Sequence, residues 1–126
     1  MNRWDVTSLS YIRGKNIFSS GGEKIGNVKD IFCDDVSGEP EWVGVRTGFL
    51  GLKERVVPVE LLNMEGARIL VPLDKDRIEH EPDFEIKDDH IQDADDMRLS
   101  AYFGLSGQHQ HSTRILRHGE EYRGHL

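Results

Sequence analysis

Asp34 and Asp35, with Asp30 just upstream, are the carboxylates best placed for acid–base chemistry. Paired catalytic carboxylates must converge on one point. Adjacent residues of an extended chain point to opposite faces, so Asp34 and Asp35 diverge. The stretch "DDVSGEP" explains them better as turn residues, because an Asp at the start of a hairpin bonds its own backbone. Asp30 lies inside a strand pattern and is expected to pair with Lys29, Arg46 or Arg55 across strands. Cys33 is the single cysteine and reads as a buried free thiol. The serines fall in turns, a helix and the chain ends, without a strained elbow motif. Nothing in this pattern asks for catalysis.

Metal chemistry is equally weak. His109, His111, His118 and His125 crowd the end of the chain. His109 and His111 lie on either side of an extended segment, and no cysteines accompany them. The acidic run 81–99 lacks the spacing of a calcium loop. The expectation is no metal and no cofactor.

One segment invites contact rather than reaction. "GFLGLKE", residues 48–54, has neither the Lys-Ser/Thr nor the long following helix of a phosphate cradle. It carries Phe49, Leu50 and Leu52 on a Gly-rich loop. They either fold back to plug the end of a small barrel or form a patch for a partner or second subunit. Trp42 and Arg55 flank that loop in the sequence. These five residues are the candidate partner-binding set.

The elements that must position them are short strands. "NIF" (16–18) is a strand, and "SSGGEK" turns the chain. "IGNVKDIFCD" (25–34) is the longest strand candidate, although Ile25, Val28 and Ile31 are spaced by three. A bulge at Gly26 would reset the phase. "DVSGE" is a hairpin loop with Gly38 at the left-handed position. "PEWVGVRT" (40–47) alternates well, with Val43, Val45 and Thr47 opposite Trp42, Gly44 and Arg46. "RVVPVELL" (55–62) carries Pro58, which suits an edge or an end. "NMEGARILVPL" (63–73) is a further hairpin, and Asp74 can cap one helical turn. About six short strands at this spacing predict an all-β domain that closes into a small barrel. Residues 85–92 read as a linker. "DADDMRLSAYFGL" (93–105) reads as a short helix with Asp93 as cap, Gly104 as stop and Ala94, Met97, Ala101 and Tyr102 as its apolar stripe. Residues 106–126 form a polar tail, expected to be disordered or ordered only on contact.

Charge is distributed unevenly. Residues 1–80 carry 11 basic and 13 acidic side chains, whereas residues 81–99 carry 2 against 8. Nucleic-acid binding needs clustered Lys and Arg, and no run of them is present. Apolar runs span only a few residues, far short of the roughly 20 a membrane helix needs. The opening "MNRWDVTSLS" lacks the apolar stretch of a signal peptide, and one cysteine makes no internal disulfide. A cytoplasmic location is expected. A core of roughly 70 to 80 residues is small enough to favour a dimer or a docked partner.

The motifs resemble the PRC-barrel domain family. Gly14-Lys15-Asn16-Ile17 matches its opening, and Gly22, Ile25, Gly26, Val28 and Asp30 match its "G..IG.V.D" strand. Trp42-Val43-Gly44-Val45 and the set Arg55, Val57, Pro58, Val59 and Leu62 complete the pattern. The resemblance covers roughly residues 12–82 and implies a small barrel of about six strands used for docking rather than catalysis. It divides the chain into a lead-in (1–11), the barrel domain (12–84), an acidic linker with a short helix (85–105) and a polar His-containing tail (106–126). The family includes the cytoplasmic region of a reaction-centre subunit and a domain of a ribosome maturation factor. The implied function is self-association or docking to a protein. An accessory role in ribosome maturation through a ribosomal protein is the alternative, and a small-ligand or metal sensor is a third class.

Overall fold

The computed structural model describes residues 4–105 and 112–116. Its centre is β2 (Lys24–Asp34), the longest strand. Three strands hydrogen-bond to it. β3 (Pro40–Thr47) lines one edge. The other edge is shared between β1 (Asn16–Ser19) at the start of β2 and β9 (Thr113–Ile115) at its end. β4 (Lys53–Pro58) continues beyond β3, and β6 (Arg68–Val71) runs parallel to β1. β5 (Asn63–Glu65) pairs with β6. Closure into a barrel would need a ladder between β4 and β5, and none is present among the described residues. The sheet is rolled nonetheless, because Val57 of β4 and Ile69 and Val71 of β6 enter one buried cluster. Among the described residues no helix is long and apolar enough to cross a membrane.

The spacing of three along β2 is resolved by two irregularities. Ile17 pairs with Gly26 and Phe18 with Lys24, which leaves Ile25 as an extra residue. Val28 pairs with Val45 and Asp30 with Gly44, which leaves Lys29 as another. Each extra residue shifts the pleat by one. Ile25, Val28, Ile31 and Cys33 therefore all reach the same core. Gly26 is required at this bend: a Cβ there would sit 2.1 Å from the Arg46 carbonyl oxygen.

The wall β2–β3–β4 is buried on both faces over the part that holds Phe32, Trp42 and Val56. Ile31, Val43, Val45 and Val57 face inward, joined by Ile78 of α2 (Lys75–Glu79). Leu9, from the segment read as a lead-in, enters the same cluster through α1 (Val6–Ser10), and Ile12 joins it just after that helix. Asp5 and Ser8 close a capping box at the start of α1. Phe32, Trp42 and Val56 face the other way, into a second cluster. That face is covered by the C-terminal part of the chain. Ile91 comes from β8 (His90–Ile91) and Leu99 from α3 (Asp93–Tyr102).

Several expectations are corrected by this second layer. The linker 85–92 is a hairpin, in which β7 (Ile86–Lys87) turns into β8 through Asp88 and Asp89, at φ 53° and 64°. Two consecutive positive φ values give the primed turn that suits a two-residue loop. The tail is ordered over 112–116, where β9 pairs with both β2 and β8. α3 does not dock through the expected stripe: Met97 is 59% exposed, and the buried positions are Asp96, Leu99 and Ser100. The reason is polar. Asp96 accepts a hydrogen bond at 2.9 Å from Nε1 of Trp42, and both residues are fully buried. Ser100 donates to the other carboxylate oxygen at 3.4 Å.

Glu81 performs a similar task at the β4 edge. Its Oε1 accepts the Val56 N–H at 2.7 Å, occupying a donor that a further strand would otherwise take. Burial pushes its carboxyl pKa up to about 8, although the Val56 bond and the Arg55 charge act in the opposite sense.

Two stability predictions follow from these buried carboxyls. Asp96→Ala strands the Trp42 N–H and is expected to cost about 1–3 kcal/mol, whereas Asp96→Asn keeps an acceptor and costs less. Urea unfolding measures both, and equal losses would show that the hydrogen bond does not hold α3. For Glu81, the folded state retains a proton between the reference pKa of 4.5 and about 8 that the unfolded state has released. Stability is therefore expected to fall as pH rises through that window, by at most about 1.4 kcal/mol per pH unit, and to level off above it. Glu81→Gln mimics the protonated acid and should flatten that slope. An unchanged slope would mean that Glu81 titrates normally.

Candidate functional site

The loop between β3 and β4 leaves the sheet at Gly48, makes a single 3-10 turn over Phe49–Gly51 and re-enters at Lys53. Gly51 N–H bonds back to the Gly48 carbonyl at 3.1 Å. Leu50 sits at φ 63°, a left-handed conformation that L-residues other than Gly adopt at a cost. Its side chain is 77% exposed, and that of Leu52 is 79% exposed. Neither folds back to plug the core. The side chain of Phe49 lies outside the described residues.

The other two candidates stand elsewhere. Trp42 is at the far end of β3 and is fully buried against α3, so it does not flank the loop as expected. Its polar edge is used internally, which is why an exposed role fails. Arg55 keeps a largely buried side chain, and its Nη1 lies 3.6 Å from the exposed carboxylate of Asp83.

A cleft of about 370 Å³ opens beside the loop. Leu50 forms part of its wall, and Lys24, Arg46 and Lys75 line it together with Asn27 and Thr47. These cations arrive from β2, β3 and α2. Their separation along the chain hid them, because only the rolled sheet and the crossover to α2 bring them together. Among the described residues no carboxylate lines the cleft. Glu54, the cross-strand neighbour of Arg46, is engaged with Lys29 at 3.6 Å.

The carboxylates have separate roles. Asp34 accepts from the backbone N–H groups of Val36 and Ser37 at 2.7 and 2.8 Å, as the turn reading expects. Asp35 points away from it, to His90 Nε2 at 3.0 Å and to the Ser112 hydroxyl. Asp30 lies 3.9 Å from Lys29. Asp30 and Glu54 approach each other over Gly44, where a Cβ would meet the Glu54 Oε1 at 3.0 Å. Burial, and then Asp30, raise the Glu54 carboxyl above its ordinary range, while Lys29 opposes that shift. Sequence reading found the Asp30–Lys29 contact and missed Glu54. The signal was the glycine at 44, which leaves room between two strands for long acids to meet. His109, His111, His118 and His125 lie outside the described residues.

No curated protein matches the chain. A family model does: the PRC-barrel domain, over residues 5–78, more than half of the sequence. The match spans α1 through most of α2, and with it the wall, the exposed loop and all three cations of the cleft. It begins upstream of the boundary drawn at residue 12, where Leu9 already contributes to the core. On that match, this chain belongs to the PRC-barrel domain family.

Proposed function

We propose that the protein is a non-catalytic docking module that associates, with itself or with another protein, through the loop 48–54. The observation that carries this reading is Leu50. It is apolar, exposed and held at positive φ between two glycines of positive φ. It buries nothing in the fold and carries a conformational cost, so its benefit to the protein lies outside the fold. Leu52, two residues further on in the loop, is exposed as well. Burying one leucine in an interface is worth about 1.5–3 kcal/mol, enough for a two-residue patch to anchor a contact whose rim is polar. The inner cluster, which joins Val57 of β4 to Ile69 and Val71 of β6 across the rolled sheet, supports treating the domain as a functional barrel: a stiff body that presents one loop. In this reading the family membership implies docking without specifying the partner.

Replacement of Leu50 by Gly and of Leu52 by Ser is the direct test. Leu50→Gly relieves the left-handed strain, so it is expected to fold at least as stably as the native chain in urea. The double variant is expected to weaken self-association, or the capture of a defined partner, by at least about tenfold, matching the loss of one buried leucine. Light scattering over a concentration series reads the first and quantitative pull-down the second. A native chain that stays monomeric and retains no partner, with the variant indistinguishable from it, would overturn the proposal.

A further inference from the structure

We infer that the cleft beside the loop 48–54 binds a small phosphate-bearing molecule with two or more negative charges. Lys24, Arg46 and Lys75 line one compact space, and among the described residues none of them is in an ion pair. The chain has 23 acidic against 16 basic residues, so carboxylates to neutralise them are abundant. Three cations left unpaired around a space without a carboxylate repel one another, and an anion between them removes that repulsion. Glu54, which stands opposite Arg46 across the strands, is turned to Lys29 instead.

A second observation is independent of charge. Thr47 is 2% exposed, and its Oγ1 is buried with no hydrogen-bond partner among the described residues. Buried hydroxyls are normally paired, and an orphan marks a place where something else supplies the partner. Thr47 lines the same cleft. The Asn27 amide adds a neutral donor and the Arg46 guanidinium a planar fork suited to phosphate oxygens.

Size and lining restrict the ligand. A space of about 370 Å³ is at the small end of ligand sites, which suits a molecule rather than a polymer. A nucleic acid would need a track of cations along its backbone, whereas these meet at one place. A single carboxylate would leave two cations uncompensated. Leu50 gives the cleft one apolar wall, which fits a ligand with an organic body attached to its phosphates. A nucleoside diphosphate has that build. This inference does not depend on the docking reading, since its charged residues are not those of the proposed contact patch.

The test is calorimetric titration of the full chain with ADP, inorganic pyrophosphate and adenosine, with amide shifts followed by NMR. ADP and pyrophosphate are expected to bind saturably with Kd on the order of 10–100 μM, and adenosine not to bind. Shifts should centre on Gly26, Asn27, Thr47 and Gly48. Lys24→Gln combined with Arg46→Gln should weaken ADP at least about tenfold, while Lys87→Gln, a charge-matched change on β7, should leave it unaltered. Thr47→Val should weaken ADP severalfold without loss of stability, because it removes an unpaired hydroxyl. Absence of saturable binding by about 10 mM, where affinity falls below a few kcal/mol, would overturn the inference. So would adenosine binding as well as ADP, or equal weakening by the Lys87 and the Lys24/Arg46 changes. Pyrophosphate, which has no organic body for Leu50 to touch, separates the two readings: its binding should survive in the Leu50→Gly/Leu52→Ser protein, whose protein association is lost.

Discussion

A buried indole N–H bonded to a buried carboxylate fixes how the two halves of this chain meet. Trp42 lies on β3 and Asp96 on α3, and neither is solvent-exposed. An indole has one donor and must place it when buried, so the outer face of β3 carries a demand that apolar neighbours alone do not meet. α3 meets it. Once Asp96 is docked, Leu99 follows one turn later onto the same face, and Phe103 packs 6.1 Å from the Trp42 ring. The helix is polar for one that packs on a sheet, and its docking is specific because the carboxylate has one place to go.

That constraint gives the part of β2–β3–β4 around Trp42 two dry sides. A strand with one solvated face reads as alternating apolar and polar residues. The end of β2 instead buries Ile31, Phe32, Cys33 and Asp34 in succession. Each is satisfied separately: Ile31 and Cys33 in the inner cluster, Phe32 in the outer one, and Asp34 by the turn that follows. β9 then pairs with this same end of β2, and His90 reaches Asp35 beyond it. Asp34 and Asp35 are thereby spent on structure at one end of the wall, and the cations that line the cleft gather at the other.

Much of the fold was legible because it is local. The strands follow from β-branched runs between turn residues, the bulge beside Gly26 from the broken spacing around it, and the Asp34 turn from the chemistry of a short acid, whereas the second bulge at Lys29 had no such signal. What was not legible is relational. A tryptophan reads as exposed or buried only once its neighbour is known, and Asp96 stands 54 positions away. The stripe of Ala94, Met97 and Ala101 was apolar by composition, yet a hydrogen bond outranked it in choosing the buried face. β9 is three residues long and has no periodicity of its own to read; two partner strands define it. The cleft shows the same limit, since Lys24, Arg46 and Lys75 look like scattered surface charge until the sheet rolls.

The division between the two clusters also explains why the exposed loop is where it is. The inner cluster draws on α1, five of the strands and α2, all within the family segment, with Leu116 the one member from beyond it. The outer cluster requires β8 and α3, which lie beyond that segment. Covering the outer face takes up the apolar surface of Phe32, Trp42 and Val56. Further along the same wall the pairs change character, from Trp42 opposite Pro58, through Gly44 under Asp30 and Glu54, to Arg46 opposite Glu54. The cover stops where the wall turns polar, and the chain then turns through Gly48 to Leu52 with its leucines outward. A long apolar wall would have needed covering throughout. The graded one leaves a charged and leucine-tipped end facing solvent, on a body stiffened from both sides.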